Sequence, residues 1–178
     1  MQKHLMSRVI TVRRSPLSPL RGILRAGPLS LPCALGRSGT TIFKREGDGA
    51  TPAASMPLLS AFRRPGRMTR LAPRLPVLWT RPTDGWCDAP RHAAYNRHVR
   101  LPFPASAETL QRKDRLYDFG VVLDFNLTRR QRGGGSAIFL HVARAGLGPT
   151  QGCVALLPAD MERLAPVLSR HSRLRVLR

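Results

Sequence analysis

Two apolar stretches decide the fold, SAIFLHV at residues 136–142 and TQGCVAL at residues 150–156. Each is a short run of branched or aromatic residues next to glycine or proline, and such runs predict buried strands. The first is entered from three consecutive glycines and ends near His141. The second opens at Cys153, directly after Gly152. The sequence therefore predicts two buried strands, one ending at an imidazole and one beginning at a thiol.

Outward from this pair, most of the chain consists of short apolar or alternating runs. They predict strands at residues 8–12, 22–24, 29–35, 56–62, 76–80, 118–125 and 173–177. Ala26-Gly27-Pro28 is typical of a hairpin turn. The glycines and proline of residues 36–52 predict a tightly turned polar loop.

One helix is predicted, from Pro158 to Ser169, because proline suits a first helical position and acidic residues follow it. Pro166 should kink or shorten this helix. Residues 63–76 are predicted to form a loop, and residues 81–117 a long, mostly irregular segment, which is usually functional. The predicted fold is mainly β, a sandwich or barrel with one C-terminal helix and long loops.

Length and composition fit a single domain over residues 1–178, with residues 1–7 expected to be a disordered tail. The chain has 178 residues, of which 42% are hydrophobic, enough for one core. No run approaches the roughly 20 apolar residues of a membrane helix, so no membrane span is expected. The first 22 residues are basic and interrupted by arginine and proline, so no signal peptide is visible.

The charge is strongly basic, with 30 Lys+Arg against 10 Asp+Glu and a formal net charge of +20. This balance suits nucleic acid, an acidic polymer such as a carboxylate-rich cell wall, or arginine spread over the surface. The basic residues are dispersed, and the clusters at residues 63–67 and 129–132 lack interleaved aromatic residues. Stacking on bases is therefore poorly supported, and no nucleic-acid partner is expected.

Cys153 and His141 are the candidate catalytic pair. A nearby imidazole can promote the thiolate form of a cysteine, and the thiolate is the nucleophile. The thiol at the exit of a loop is expected to be exposed. Gly152 would let backbone N–H groups approach an oxyanion. The alternative is a small buried cysteine beside a structural histidine.

Several segments together make the chain recognisable. They are the histidine at a strand end, the Thr-x-Gly-Cys-Val run, a helix that opens with proline, KREGDGATP at 44–52, WCDAP at 86–90, YNR at 95–97 and DRLYD at 114–118. In combination they resemble the L,D-transpeptidase (YkuD-type) catalytic domain, in particular a compact proteobacterial branch. The resemblance runs from Val9 to Val176.

The resemblance implies acyl transfer on peptidoglycan, without a cofactor. Cys153 would be the nucleophile, His141 its base, and Gly152 with the Cys153 N–H the oxyanion hole. Thr150 and Gln151 would line the donor site. The implied partners are peptidoglycan stem peptides and glycan, met by a monomer in the periplasm.

Two residues depart from the family pattern. Gln151 stands where a histidine is usual, and Ala155 stands where an arginine is usual. A guanidinium is the natural clamp for a carboxylate, so another residue should recognise the donor. We expect Arg97 or Arg100, in the long loop, to take that role.

Three aromatic residues of the long segment, Trp86, Tyr95 and Tyr117, are expected to stack on sugar or stem peptide, or to pin the loop to the core. His92 and His98 have no acidic or thiol partner at ligand spacing, so no metal site is expected.

Cys33 and Cys87 could form a disulfide in an oxidising compartment, although two reduced thiols are the preferred interpretation. The functional alternatives are a hydrolase of the same fold, an enzyme that anchors proteins to peptidoglycan, and a non-catalytic basic module that binds wall or nucleic acid. The joint presence of His141 and Cys153 favours catalysis.

Overall fold

The structure is a computed structural model that describes residues 9–178, so the expected tail at residues 1–7 lies outside the described residues. It is mainly β, with 41% strand and 8% helix, as predicted. The strands are β1 (Val9–Ser15), β2 (Ser18–Ala26), β3 (Leu29–Ala34), β4 (Thr40–Thr41), β5 (Thr51–Pro52), β6 (Ser55–Arg63), β7 (Val77–Trp79), β8 (Asp84–Cys87), β9 (Arg97–Arg100), β10 (Ala107–Thr109), β11 (Phe119–Leu123), β12 (Phe139–Val142), β13 (Val154–Leu156) and β14 (Arg173–Val176).

The main sheet closes on itself like a barrel. Its strand order is β11-β12-β13-β3-β2-β1-β14-β6-β7, and β6 also pairs with β11. All strands of this sheet except β7 therefore form a ring. Gly120 makes one contact of the ring possible, because a Cβ there would lie 2.3 Å from Cζ of Phe62.

The inside of the ring is the main core. Apolar side chains alternate inward from each strand, and Leu140 and Val142 of β12 are examples. The helix α1 (Pro158–Leu164) adds Met161 and Leu164 to the same core. It is shorter than the predicted helix, because a 3₁₀ turn (Ala165–Val167) that contains Pro166 follows it.

The segment at residues 81–117 is more ordered than the sequence predicted. The three strands β8, β9 and β10 form a separate small sheet in the order β10-β8-β9. Trp86 and Leu110 from this segment join Phe139 in a second apolar cluster, outside the barrel core. The small sheet thus packs beside the outer face of β12, where the candidate site lies.

Candidate active site

Strands β12 and β13 bring the candidate pair together. They are parallel, with Leu140 opposite Val154 and His141 opposite Ala155. Because side chains alternate, His141 and Ala155 face outward while their neighbours face the barrel core. Cys153 comes two residues before Ala155 and so lies on the same outer face, diagonally across from His141. The predicted proximity of the thiol and the imidazole therefore follows from the register of these strands.

The Cys153 thiol is buried, which corrects the expectation of an exposed one. The residue is 7% exposed and belongs to the aromatic cluster around Phe139. The Phe139 N–H donates to Sγ over 3.3 Å, and Sγ–H donates to the Ala137 carbonyl over 3.2 Å. Burial is the main reason that the pKa of Cys153 rises to about 12. The resting group is a thiol.

The His141 imidazole is neutral and held in one tautomer. Its Nδ1 lies 2.7 Å from the Val142 carbonyl oxygen, which can only accept, so Nδ1 carries the proton. Nε2 is then the unprotonated nitrogen, the one that can accept a proton. The ring is 4% exposed, and burial lowers its pKa to about 4. The edge of Tyr117 packs against it, with ring centroids 5.1 Å apart.

The turn before Cys153 is fixed by Thr150. Its hydroxyl donates to the Cys153 carbonyl over 2.7 Å and accepts the Gly152 N–H over 3.1 Å. Gly152 has a φ of +132°, and a Cβ there would lie 2.9 Å from the Ala50 carbonyl oxygen. Only glycine fits this position. The Gly152 amide is thus engaged by Thr150, which leaves the Cys153 amide as the nearer candidate for an oxyanion donor.

The KREGDGATP segment at residues 44–52 packs against this turn and hydrogen-bonds to it. Lys44 forms an ion pair with Asp48, whose carboxylate also accepts the Ala50 N–H over 2.9 Å. The Thr51 hydroxyl accepts the Gly36 N–H over 2.8 Å and donates to the Cys153 carbonyl over 3.3 Å. The segment therefore holds the backbone that carries the thiol.

A cavity of about 460 Å³ opens onto Cys153 and His141. Three more of the predicted site residues line it, namely Tyr117, Thr150 and Gln151. Polar residues that the sequence did not indicate as site residues also line it: Glu46, Asp88, Glu108, Arg112, Ser136 and Arg144.

The other predicted site residues lie outside the lining of this cavity. The Trp86 indole donates to the Asn96 side-chain oxygen over 2.9 Å, and the Tyr95 hydroxyl donates to the Glu46 carboxylate. Arg97 donates to the Leu127 carbonyl over 2.8 Å. The side chain of Arg100 is 61% exposed, and its Nε lies 4.0 Å from Oδ1 of Asp84. Trp86 and Tyr95 accordingly contact the protein itself, as in the loop-pinning alternative.

A chain of ion pairs runs along the cavity. Arg112 binds Glu108 over 3.0 Å and Asp114 over 2.7 Å, and Arg144 reaches Asp114 over 3.1 Å. The Tyr117 hydroxyl hydrogen-bonds Glu108, and burial raises the pKa of both groups. The paired guanidiniums hold the pKa of Asp114 well below its usual range. Glu108 is one of the 10 acidic residues in a chain with 30 basic ones. This scarcity of carboxylates is the sequence signal that could have identified it as a site residue.

The three cysteines are free thiols, in line with the preferred interpretation of Cys33 and Cys87. Within residues 9–178, no helix has the length and apolar character required to span a membrane.

Comparisons with known proteins agree with the resemblance seen in the sequence. The family model YkuD, described as the L,D-transpeptidase catalytic domain, matches residues 24–176. Searches of curated proteins and of solved structures gave no match. Because the family match covers nearly the whole chain, the protein belongs to the YkuD family of L,D-transpeptidase catalytic domains, which typically are enzymes that act on peptidoglycan outside the cytoplasm.

Proposed function

We propose that this chain is a peptidoglycan L,D-transpeptidase that uses Cys153 as its nucleophile. The observation that carries the proposal is the placement of Cys153 and His141 on adjacent parallel strands, on the wall of one cavity. Family membership supplies the substrate class, and the cavity supplies room for a stem peptide.

In the first step Cys153 is acylated. The neutral imidazole of His141 takes the thiol proton at Nε2 as sulfur attacks the carbonyl carbon of an L-centre in the donor stem. The peptide bond to the next residue breaks, and the departing amine takes the proton from the imidazolium. The Cys153 amide stabilises the oxyanion that forms between these events. The product is a thioester between the stem and Cys153.

In the second step an acceptor amine resolves the thioester. The amine nitrogen attacks the thioester carbon and loses a proton to His141, and the sulfur leaves and regains that proton. The new amide is the cross-link, and the resting thiol is restored. The same imidazole serves both steps because it is neutral before each one.

We infer that Arg144 recognises a substrate carboxylate in place of the arginine that Ala155 replaces. Arg144 lines the cavity with a side chain that is 58% exposed, whereas Arg97 and Arg100 do not line it. Among the acidic side chains of residues 9–178, it pairs with Asp114 alone, which Arg112 already binds through two hydrogen bonds. Arg144 can therefore turn toward a ligand without leaving Asp114 unpaired.

The test is incubation of the wild type and Cys153→Ala with disaccharide-tetrapeptide muropeptides, followed by mass spectrometry. Dimers that have lost a terminal residue, formed by the wild type alone, support transpeptidation, and fragmentation identifies the bonded positions. Shortened monomers without dimers would instead show an L,D-carboxypeptidase. Equal product patterns for the two proteins would rule out Cys153 as the nucleophile.

The peptidoglycan substrate also supports action in the periplasm by a single domain, without nucleic acid. We propose that the protein works as a monomer, since Cys153 and His141 come from one chain. Light scattering during gel filtration of the active protein measures this directly, and a dimer mass would contradict it.

A further inference from the structure

The cavity is locally acidic in a strongly basic protein. Its lining contains the carboxylates of Glu46, Asp88 and Glu108 against the guanidiniums of Arg112 and Arg144. Both guanidiniums are already bound by Asp114, and Arg112 is bound by Glu108 as well. The chain as a whole has 30 basic and 10 acidic residues. If the cavity lining had the same charge composition as the whole chain, it would be positive. The presence of three carboxylates in the lining therefore suggests a function specific to the cavity.

Two buried oxygen atoms on the cavity wall lack hydrogen-bond partners among the described residues. They are Oδ1 of Asp88 and Oγ of Ser136. Ser136 is 8% exposed, and its hydroxyl lies beside that of Tyr95 without a hydrogen bond of normal geometry. Buried polar atoms are nearly always satisfied, and an unsatisfied one costs free energy. Both atoms are closed to solvent, so a ligand in the cavity would satisfy them after the side chains of Asp88 and Ser136 rotate toward it.

The other two carboxylates of the lining have partners. Glu46 accepts the Tyr95 hydroxyl, and Glu108 accepts Arg112 over 3.0 Å. Asp88 is close enough that its charge raises the pKa of Glu108. The missing partner must supply N–H or O–H donors and positive charge in a small volume. A water molecule supplies donors without charge, whereas a primary ammonium supplies three donors and a full charge.

We propose that Asp88, together with Ser136, binds a primary ammonium group of the stem peptide. This inference rests on the proposed function and adds a substrate contact to it. The ammonium belongs either to the acceptor amine before it loses its proton or to the side chain of the donor. Both sources present the same chemistry to Asp88, and the experiment separates them.

The experiment compares the wild type with Asp88→Asn and Ser136→Ala. Asp88→Asn keeps the shape of the side chain and removes its charge. Glu162→Gln is the matched control, because it removes one carboxylate from α1, away from the cavity. Thermal melting verifies that every variant folds. Acylation of Cys153 is measured with donor alone by intact mass, and cross-linking is measured after acceptor is added.

A loss of about tenfold or more is expected for Asp88→Asn, with a smaller loss for Ser136→Ala and none for Glu162→Gln. If only cross-linking falls, the ammonium belongs to the acceptor. If acylation falls for a donor with a free side-chain amine, but not for the N-acetylated donor, it belongs to the donor. Unchanged rates of both steps in folded Asp88→Asn would overturn the proposal.

A binding measurement separates this proposal from the catalytic one. Cys153→Ala is titrated by calorimetry with a stem tripeptide that has a free side-chain amine and with its N-acetylated form. We expect the free amine to bind more tightly, and the preference to disappear in Cys153→Ala/Asp88→Asn. Equal binding of the two peptides by Cys153→Ala would reject the ammonium site. Failure of the wild type to acylate would reject the proposed function alone.

Discussion

At the residue scale, the main feature is a neutral pair of reactive groups. The pKa of Cys153 is raised to about 12 and that of His141 is lowered to about 4, both mainly by burial. A thiolate–imidazolium ion pair is therefore not the resting state, because a proton on sulfur is more stable than one on nitrogen. In the proposed mechanism, the imidazole gains the thiol proton only as sulfur attacks the substrate carbonyl carbon.

The first prediction is that Cys153 reacts with iodoacetamide at a rate that rises about tenfold per pH unit from pH 6 to pH 9. The thiolate fraction grows tenfold per unit at every pH below the pKa, so no plateau should appear in this range. Peptide mass mapping distinguishes Cys153 from the fully buried Cys33 and Cys87. A plateau near neutral pH would show an ion pair instead.

The second prediction concerns the carboxylate contact. Arg144→Ala should lower the rate of Cys153 acylation by about tenfold or more at limiting donor, because a charged hydrogen bond is lost. Arg97→Ala and Arg100→Ala serve as matched controls, since both side chains lie outside the cavity lining. A larger loss for either control than for Arg144→Ala would restore the role expected from the sequence.

The sequence predicted the two apolar strands and offered Cys153 and His141 as a candidate pair, but the pairing depended on the family resemblance, since spacing alone also allowed a buried cysteine beside a structural histidine. It could not locate Arg144 or Glu108. The place of Glu108, and the pairing of Arg144 with Asp114, depend on how the segment at residues 81–117 folds over β12, and no local sequence pattern predicts that packing. The roles assigned to Trp86, Tyr95, Arg97 and Arg100 were drawn from their loop, and they stay predictions about substrate.

At the element scale, Asn96 links the small sheet to the backbone just before β12. Its side-chain oxygen accepts the Trp86 indole over 2.9 Å and the Ala137 N–H over 3.1 Å. Its amide donates to the Phe125 carbonyl over 3.1 Å. Ala137 has a φ of +50°, and its carbonyl accepts the Cys153 thiol over 3.2 Å. Asn96 thus stabilises a strained backbone that contacts the Cys153 thiol.

The third prediction is that Asn96→Ala lowers the free energy of unfolding by about 3 kcal/mol or more, because it leaves buried donors without an acceptor. Asn126→Ala is the control, since Asn126 also has a positive φ and bonds two carbonyls but is partly exposed. It should cost about 1 kcal/mol. Urea denaturation measures both values, and equal losses would contradict a fastening role for Asn96.

The small sheet also shows why this part of the fold escaped prediction. Strands β8 (Asp84–Cys87), β9 (Arg97–Arg100) and β10 (Ala107–Thr109) are three or four residues long. Such lengths are too short for a period to be read, and charged residues interrupt them. Their pairing with one another, rather than any local propensity, makes them strands. The barrel strands were more predictable because each buries a row of branched side chains.

At the scale of the whole molecule, the surface and the cavity differ in the sign of their charge. The surface is strongly positive, with a formal net charge of +20, whereas the cavity gathers carboxylates. Under the proposed function, the surface charge would attract the anionic wall at long range, and the cavity would distinguish among the groups that arrive. Attraction and selection would then be carried by different residues.

The fourth prediction follows from the surface charge. Binding of Cys153→Ala to purified peptidoglycan sacculi should fall at least threefold between 50 mM and 500 mM NaCl, because salt screens exposed charges. Sedimentation followed by protein assay measures the bound fraction. A sacculus preparation with amidated carboxylates is the matched control and should bind weakly at both concentrations. Binding that is independent of salt would exclude a role for the net charge.

The position of β14 in the ring determines when the barrel can close. β14 lies between β1 and β6, pairing parallel with Val9–Val12 and antiparallel with Ser55–Pro57. Until residues 173–176 have left the ribosome, β1 and β6 each lack a neighbour and the ring stays open. Contacts between the first and last strands are of the greatest sequence separation, which makes their formation slow. Closure of the barrel therefore comes late in the synthesis and folding of each chain.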